Sequence, residues 1–216
     1  MYDWPFTYEQ FITAADYVGI AVFAITGVLA AAGRGIDFFG VIVLGMVTAL
    51  GGGTIRDVTL GAYPLVWVEN PLYLEIAVGT SIFAFFWSRY LHSPRRMILV
   101  LDAAGLALFA IIGLQKALAL DAAPIVAVTM AVVTGVAGGM IRDLLTDQIP
   151  LVLRPDSQFY ATCAIFGAAV YLALEWYVGY ANRWVALAAM GAAFALRILS
   201  VWHQVTLPHF TQRQRN

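Results

Sequence analysis

"GGGTIRD" (51–57) and "AGGMIRD" (137–143) stand 86 residues apart in a chain that is otherwise strongly apolar. Consecutive glycines weaken a helix, and an Arg-Asp step does not enter a bilayer cheaply. Extended outward without a gap, "TALGGGTIRDVTLGAYPLV" (48–66) lies over "TGVAGGMIRDLLTDQIPLV" (134–152), with nine of nineteen positions identical. At the same offset, "DYVGIAVFAITG" (16–27) lies over "DAAGLALFAIIG" (102–113), with seven of twelve identical. Apolar composition raises chance matches, but it does not align an Asp, a Gly pair, an Arg-Asp and a Pro together. The pattern reads as one unit written twice.

Composition sets the class of that unit. The chain has 216 residues, 62% of them hydrophobic and 12% charged, about half the charged fraction of a soluble domain. Seven stretches approach the ~20 residues a helix needs to cross a bilayer, near 12–33, 38–61, 72–91, 96–119, 122–146, 158–179 and 183–203. Short connections carry "GRGID", "VENP", "HSPRR", "LDAAP", "LRPDS" and "GYANR". Aromatic residues gather at both interfaces of a membrane. Tyr63, Trp67, Tyr73, Trp176 and Trp184 fit one belt; Trp87, Tyr90, Tyr160 and Trp202 fit the other. The fold class is therefore an all-α polytopic membrane protein, one membrane domain over 1–216. An odd number of spans per unit makes the second unit enter from the opposite side. The expected layout is an inverted repeat, 12–91 and 96–179, plus a seventh helix at 183–203, the plan common to many transporters.

Basic residues set the orientation. Arg34, Arg89, Arg95, Arg96, Arg154, Arg213 and Arg215 fall on one side, against Lys116 and Arg183 on the other. The positive-inside rule puts the N-terminus outside and the C-terminus in the cytoplasm. The first ten residues, "MYDWPFTYEQ", have no basic n-region, so no cleavable signal is expected. Cys163 is the only cysteine, which excludes a disulfide framework, and His92, His203 and His209 are too scattered for a metal site. No basic patch suggests nucleic acid. No P-loop, nucleophile elbow or HExxH is present, so neither an enzyme nor a cofactor is expected.

On this layout Gly51, Gly52, Gly53, Gly138 and Gly139 lie near the bilayer midplane. Such runs invite a kink or an unwound turn, tolerated in a membrane only beside protein or a watery cavity. Carbonyls freed before the break would attract a cation, and Thr48 and Thr134, matched one turn earlier, could add oxygens. The alternative is that the glycines only let helices pack closely. The charges are open in the same way. Adjacent residues on a helix point about 100° apart, so Arg56 and Asp57 are not expected to face one another. The pairs Arg56–Asp16 and Arg142–Asp102 are expected instead, leaving Asp57 and Asp143 as acidic mouths. Equally, all six could form structural clusters locking the repeats. Lys116, with Ala30 in its place in the first copy, is either a gate or a snorkelling lysine. Arg197 reads as snorkelling, and Glu75 and Glu175 as interfacial charges.

These features together resemble the trimeric intracellular cation (TRIC) channels and their prokaryotic homologues. "GGGTIRDVTLGAYPLVWV" and "GVAGGMIRDLLTDQIPLVL" also resemble the related bacterial glycine-transporter family. The resemblance covers roughly 12 to 203. It implies a homotrimer with a pore in each protomer, conducting monovalent cations, chiefly potassium; the compact length and the lack of a sorting tail add the expectation of a bacterial inner membrane, among its lipids. It implies kinks at Gly51–Gly53 and Gly138–Gly139, Ala137 standing where a third glycine would be, and gating by a basic residue on the fourth span, for which Lys116 is the candidate. A carrier for glycine or a similarly small solute is the rival expectation, because broken half-helices suit a zwitterion as well as an ion.

Overall fold

The computed structural model describes residues 7–88, 90, 94–154 and 159–203. Arg89, Arg213, Arg215, His92 and His209 lie outside the described residues. The helices are α1 (Tyr8–Ala30), α2 (Phe38–Leu60), α3 (Val66–Glu69), α4 (Leu72–Ser88), α5 (Pro94–Ala119), α6 (Pro124–Leu145), α7 (Tyr160–Val178) and α8 (Arg183–His203), with a 3₁₀ turn at Leu151–Leu153. Six of them, all but α3 and α4, are long and apolar enough to cross a membrane. With 17 residues, α4 is about 25 Å long, short of the ~30 Å of hydrocarbon.

Local chemistry fixes the ends. Thr7 and Gln10 form a capping box, which starts α1 four residues before the apolar run. Asp37 accepts from the Gly40 N–H at 2.7 Å to start α2. Gly61, at φ 65°, closes α2 in the left-handed conformation that a Cβ would oppose. Pro124 opens α6 at the first helical position, where its missing N–H costs nothing.

The helices form two groups, α1–α2–α4 and α5–α6–α7, with α8 packed on α7 and α5. Between the groups each central helix meets its own counterpart, α1 against α5 and α2 against α6. The packing is reciprocal in detail. Phe109 fills the space over Gly19, and Phe23 fills the space over Gly105, 86 residues on; the two rings meet at 5.2 Å between centroids. Both phenylalanines are buried at the centre of the core.

One sequence expectation fails here. The unwound turn expected at the glycines is absent, since α2 and α6 run as unbroken helices through both runs. The space is taken by another helix instead. A Cβ on Gly52 would strike the Thr134 carbonyl, and a Cβ on Gly138 would strike the Thr48 carbonyl. The helices thus cross backbone to backbone, as small residues permit in membranes. Gly51 makes room for the Ile141 side chain. Ala137, its counterpart, offers no such recess, and the matching Ile55 is left 40% exposed.

Candidate functional site

Each helix group holds one buried cluster of charges, built from matched residues. The second is the simpler. Arg142 Nη1 on α6 lies 2.8 Å from Asp102 Oδ1 on α5. Tyr160 on α7 donates to Asp102 Oδ2 at 2.6 Å. Arg142 Nε donates to Asp143 Oδ1 at 2.9 Å, and Nη2 adds a charge contact of 2.9 Å without hydrogen-bond alignment. The other Asp143 oxygen accepts from the Leu151 N–H at 2.9 Å, where the chain turns back after Pro150. Gly139 leaves the space these groups fill, since a Cβ there would lie 3.1 Å from Asp102 and 3.2 Å from Tyr160.

The first cluster repeats this plan with two differences, an added lysine and an arginine that pairs with only one of its two acids. Arg56 Nε donates to Asp57 Oδ1 at 2.7 Å, and Asp57 Oδ2 accepts from the Val66 N–H at 3.3 Å, just past Pro64. Lys116 reaches in from α5 to place Nζ 2.9 Å from the same Asp57 oxygen. Asp16 is buried near Tyr73 and Arg56, while Arg56 makes its ion pair with Asp57. A buried carboxylate is held only when paired and hydrogen-bonded. Asp57 meets that condition through three donors.

Several sequence expectations are corrected by this geometry. Arg56 binds Asp57 and not Asp16; a long guanidinium folds back onto its neighbour, although the two Cβ directions diverge. Arg142 does contact Asp102, and it contacts Asp143 as well. Asp57 and Asp143 are not open acidic mouths, because both are buried with their oxygens engaged. The Thr48 and Thr134 hydroxyls keep their acceptor lone pairs but are enclosed. Each donates at 2.6 Å to the carbonyl four residues back, Leu44 and Met130, and each is buried. Tyr73 and Tyr160 are buried members of the clusters and not belt aromatics. Arg197 does not snorkel; it is 2% exposed and stacks 4.7 Å over the Tyr160 ring. Lys116 is neither wholly snorkelled nor wholly buried, with its side chain 30% exposed while bridged to Asp57.

The residues missed as site members are Tyr73, Tyr160, Arg197 and the two N–H donors. Tyr73 and Tyr160 are 87 residues apart, so a one-residue difference in loop length hides their match from an offset of 86. Among the described residues no group of three or more His, Cys, Asp or Glu could hold a metal ion.

The fold and the site define a multi-pass helical membrane protein whose interior charges sit in two matched clusters beside a glycine-lined helix crossing. The glycine-transporter family matches residues 13–89 and 99–176, and the chain belongs to it. The inner membrane protein YadS of Escherichia coli is 43% identical, covering 90% of this chain and 94% of that protein. A membrane protein of Vibrio cholerae is 40% identical, covering 90% and 81%. Among solved structures, the TRIC trimeric intracellular cation channel orthologue from Rhodobacter sphaeroides superposes with a TM-score of 0.85 at 39% identity, covering 90% of this chain and 98% of that one. A prokaryotic TRIC channel crystallised in potassium chloride gives 0.82 at 34% identity, covering 91% and 98%.

Proposed function

We propose that this protein is a monovalent cation channel, permeable to potassium, assembled as a homotrimer with one path through each protomer. The observation that carries the reading is the likeness to TRIC cation channels at a TM-score of 0.85 over nine-tenths of the chain. The path follows the α2–α6 crossing in a seven-span layout, two inverted three-helix units (12–91 and 96–179) and a seventh helix (183–203). The N-terminus faces outward, and the C-terminus faces the cytoplasm. Reciprocal contacts at an offset of 86 support two units related by a two-fold axis, the geometry an inverted repeat produces.

The described state is closed in chemical terms. Gly52 and Gly138 seal the crossing against the Thr134 and Thr48 carbonyls, and the Thr48 and Thr134 hydroxyls beside it are buried. Opening separates α2 from α6, which presents the Thr48 and Thr134 oxygens to a dehydrating ion. Asp57 then supplies negative potential at its end of the path. Lys116 is the gate, a tethered cation on the Asp57 carboxylate that must leave before an ion can use it. A planar-bilayer recording of purified protein in a potassium gradient, with and without glycine, tests this reading. Unitary steps reversing near the potassium potential and indifferent to glycine are the expected result. Silence combined with saturable glycine uptake into liposomes would replace the channel with a carrier.

A further inference from the structure

The Asp–Arg–Asp triads Asp16–Arg56–Asp57 and Asp102–Arg142–Asp143 each carry two acids and one base, a formal charge of −1 buried among helices. Nothing in the repeat itself balances that charge. In the first cluster the balance comes from Lys116, a residue of α5 in the other group, 2.9 Å from Asp57. In the second cluster a cation from outside the repeat is also present. Arg197 of α8 is buried, with its guanidinium carbon 4.7 Å from the Tyr160 ring centroid, and Tyr160 donates directly to Asp102 at 2.6 Å. The chain of contact therefore runs from Arg197 to Tyr160 to Asp102 to Arg142 to Asp143.

The two added cations differ in freedom. Lys116 is a point charge on a flexible stem, 30% exposed. Arg197 is a planar group stacked on an aromatic face and enclosed at 2% exposure, the arrangement for which arginine and lysine are least interchangeable. We infer that Arg197 is the fixed counter-cation of the second cluster and locks it shut through Tyr160, so that α8 is part of the closure and not an appendage to the two units. The first cluster then has a removable cation and the second a permanent one. Movement of charge in this protein is confined to the Lys116 end.

The inference rests on the proposed channel only for its consequence. The lock itself is read out without conduction. Cys163, the sole cysteine, is buried on α7 beside Arg197 and Ser200 of α8. It is a native reporter of whether α7 and α8 stay closed around the second cluster. Purified protein in detergent is treated with N-ethylmaleimide, and Cys163 labelling is followed by mass. Arg197→Met should label roughly tenfold faster or more than the parent, since removing one member of a buried charged cluster is strongly destabilising. Arg197→Lys should fall between, keeping the charge and losing the planar stack. Tyr160→Phe, which keeps the ring and removes the donor to Asp102, should also accelerate labelling. Arg56→Met, the same loss of charge in the first cluster, should accelerate labelling of Cys163 far less than Arg197→Met does. Equal acceleration by Arg56→Met would reduce the effect to general loosening and overturn the lock. Parent-like labelling in Arg197→Lys and Tyr160→Phe would overturn it too, even if Arg197→Met fails to fold. Potassium currents measured on the same variants bear separately on the channel: faster labelling with unchanged currents keeps the lock and removes the second cluster from the path.

Discussion

Asp57 and Asp143 occupy equivalent places, yet their partners differ in one cation. Asp143 is closed by residues of its own group, Arg142 and the Leu151 N–H. Asp57 needs Lys116 from across the interface. Lys116→Met should therefore free the carboxylate and lengthen open times in single-channel records several-fold; records identical to the parent would take Lys116 out of gating. Asp102→Asn acts on stability. It leaves Arg142 short of one buried partner, a change worth about 3–5 kcal/mol, seen as a lower unfolding temperature in detergent with helicity unchanged in the cold. At this scale much of the site was legible. The offset of 86 marked six of the charged residues and paired Arg142 with Asp102. Arg56 turning to Asp57 was not legible, because side-chain reach rather than Cβ direction decides it. Neither was Arg197, since a lone arginine in a seventh helix has no repeat partner to mark it.

For the elements, the crossing of α2 and α6 decides the packing. Gly52→Ala and Gly138→Ala each push a methyl into a backbone carbonyl that cannot rotate away. Overpacking of this kind costs about 1–3 kcal/mol, and both variants should lose thermal stability. Gly79→Ala and Gly191→Ala meet nothing within 4 Å and should be neutral or gain up to ~1 kcal/mol from helix propensity. If all four behave alike, close approach is not what holds α2 to α6. Six of the seven expected spans fall on helices long enough to cross, because apolar length against flanking polar turns determines them; the expected 183–203 coincides with α8, while the expected 72–91 holds the 17-residue α4. Of the two readings of the glycine runs, close packing is the one the contacts support and the unwound turn is absent, because propensity describes an isolated helix, whereas here a neighbouring backbone holds the turn in place. Four-residue α3 and the turn at Leu151–Leu153 left no periodicity to read; they are defined by the carboxylates that accept their first N–H groups.

On the scale of the whole molecule, the channel proposal requires three chains of 23.5 kDa in one particle. Native mass measurement in mild detergent should find that trimer, and a stable monomer conducting normally would separate assembly from function. The packing between the two helix groups has its own consequence. Gly52 meets Thr134 while Gly138 meets Thr48, and Gly19 meets Phe109 while Gly105 meets Phe23. Residue and partner exchange roles across the seam, the signature of an isologous surface. Each half thus carries both sides of the joint, knob and socket together, as two copies of one small protein would if they dimerised about a two-fold axis. On the proposed inverted repeat, a fragment ending before α5 would hold a complete mating face for a second copy of itself, and the covalent link between the halves is then a means of fixing stoichiometry, freeing each half to diverge, as at Lys116 and its counterpart Ala30.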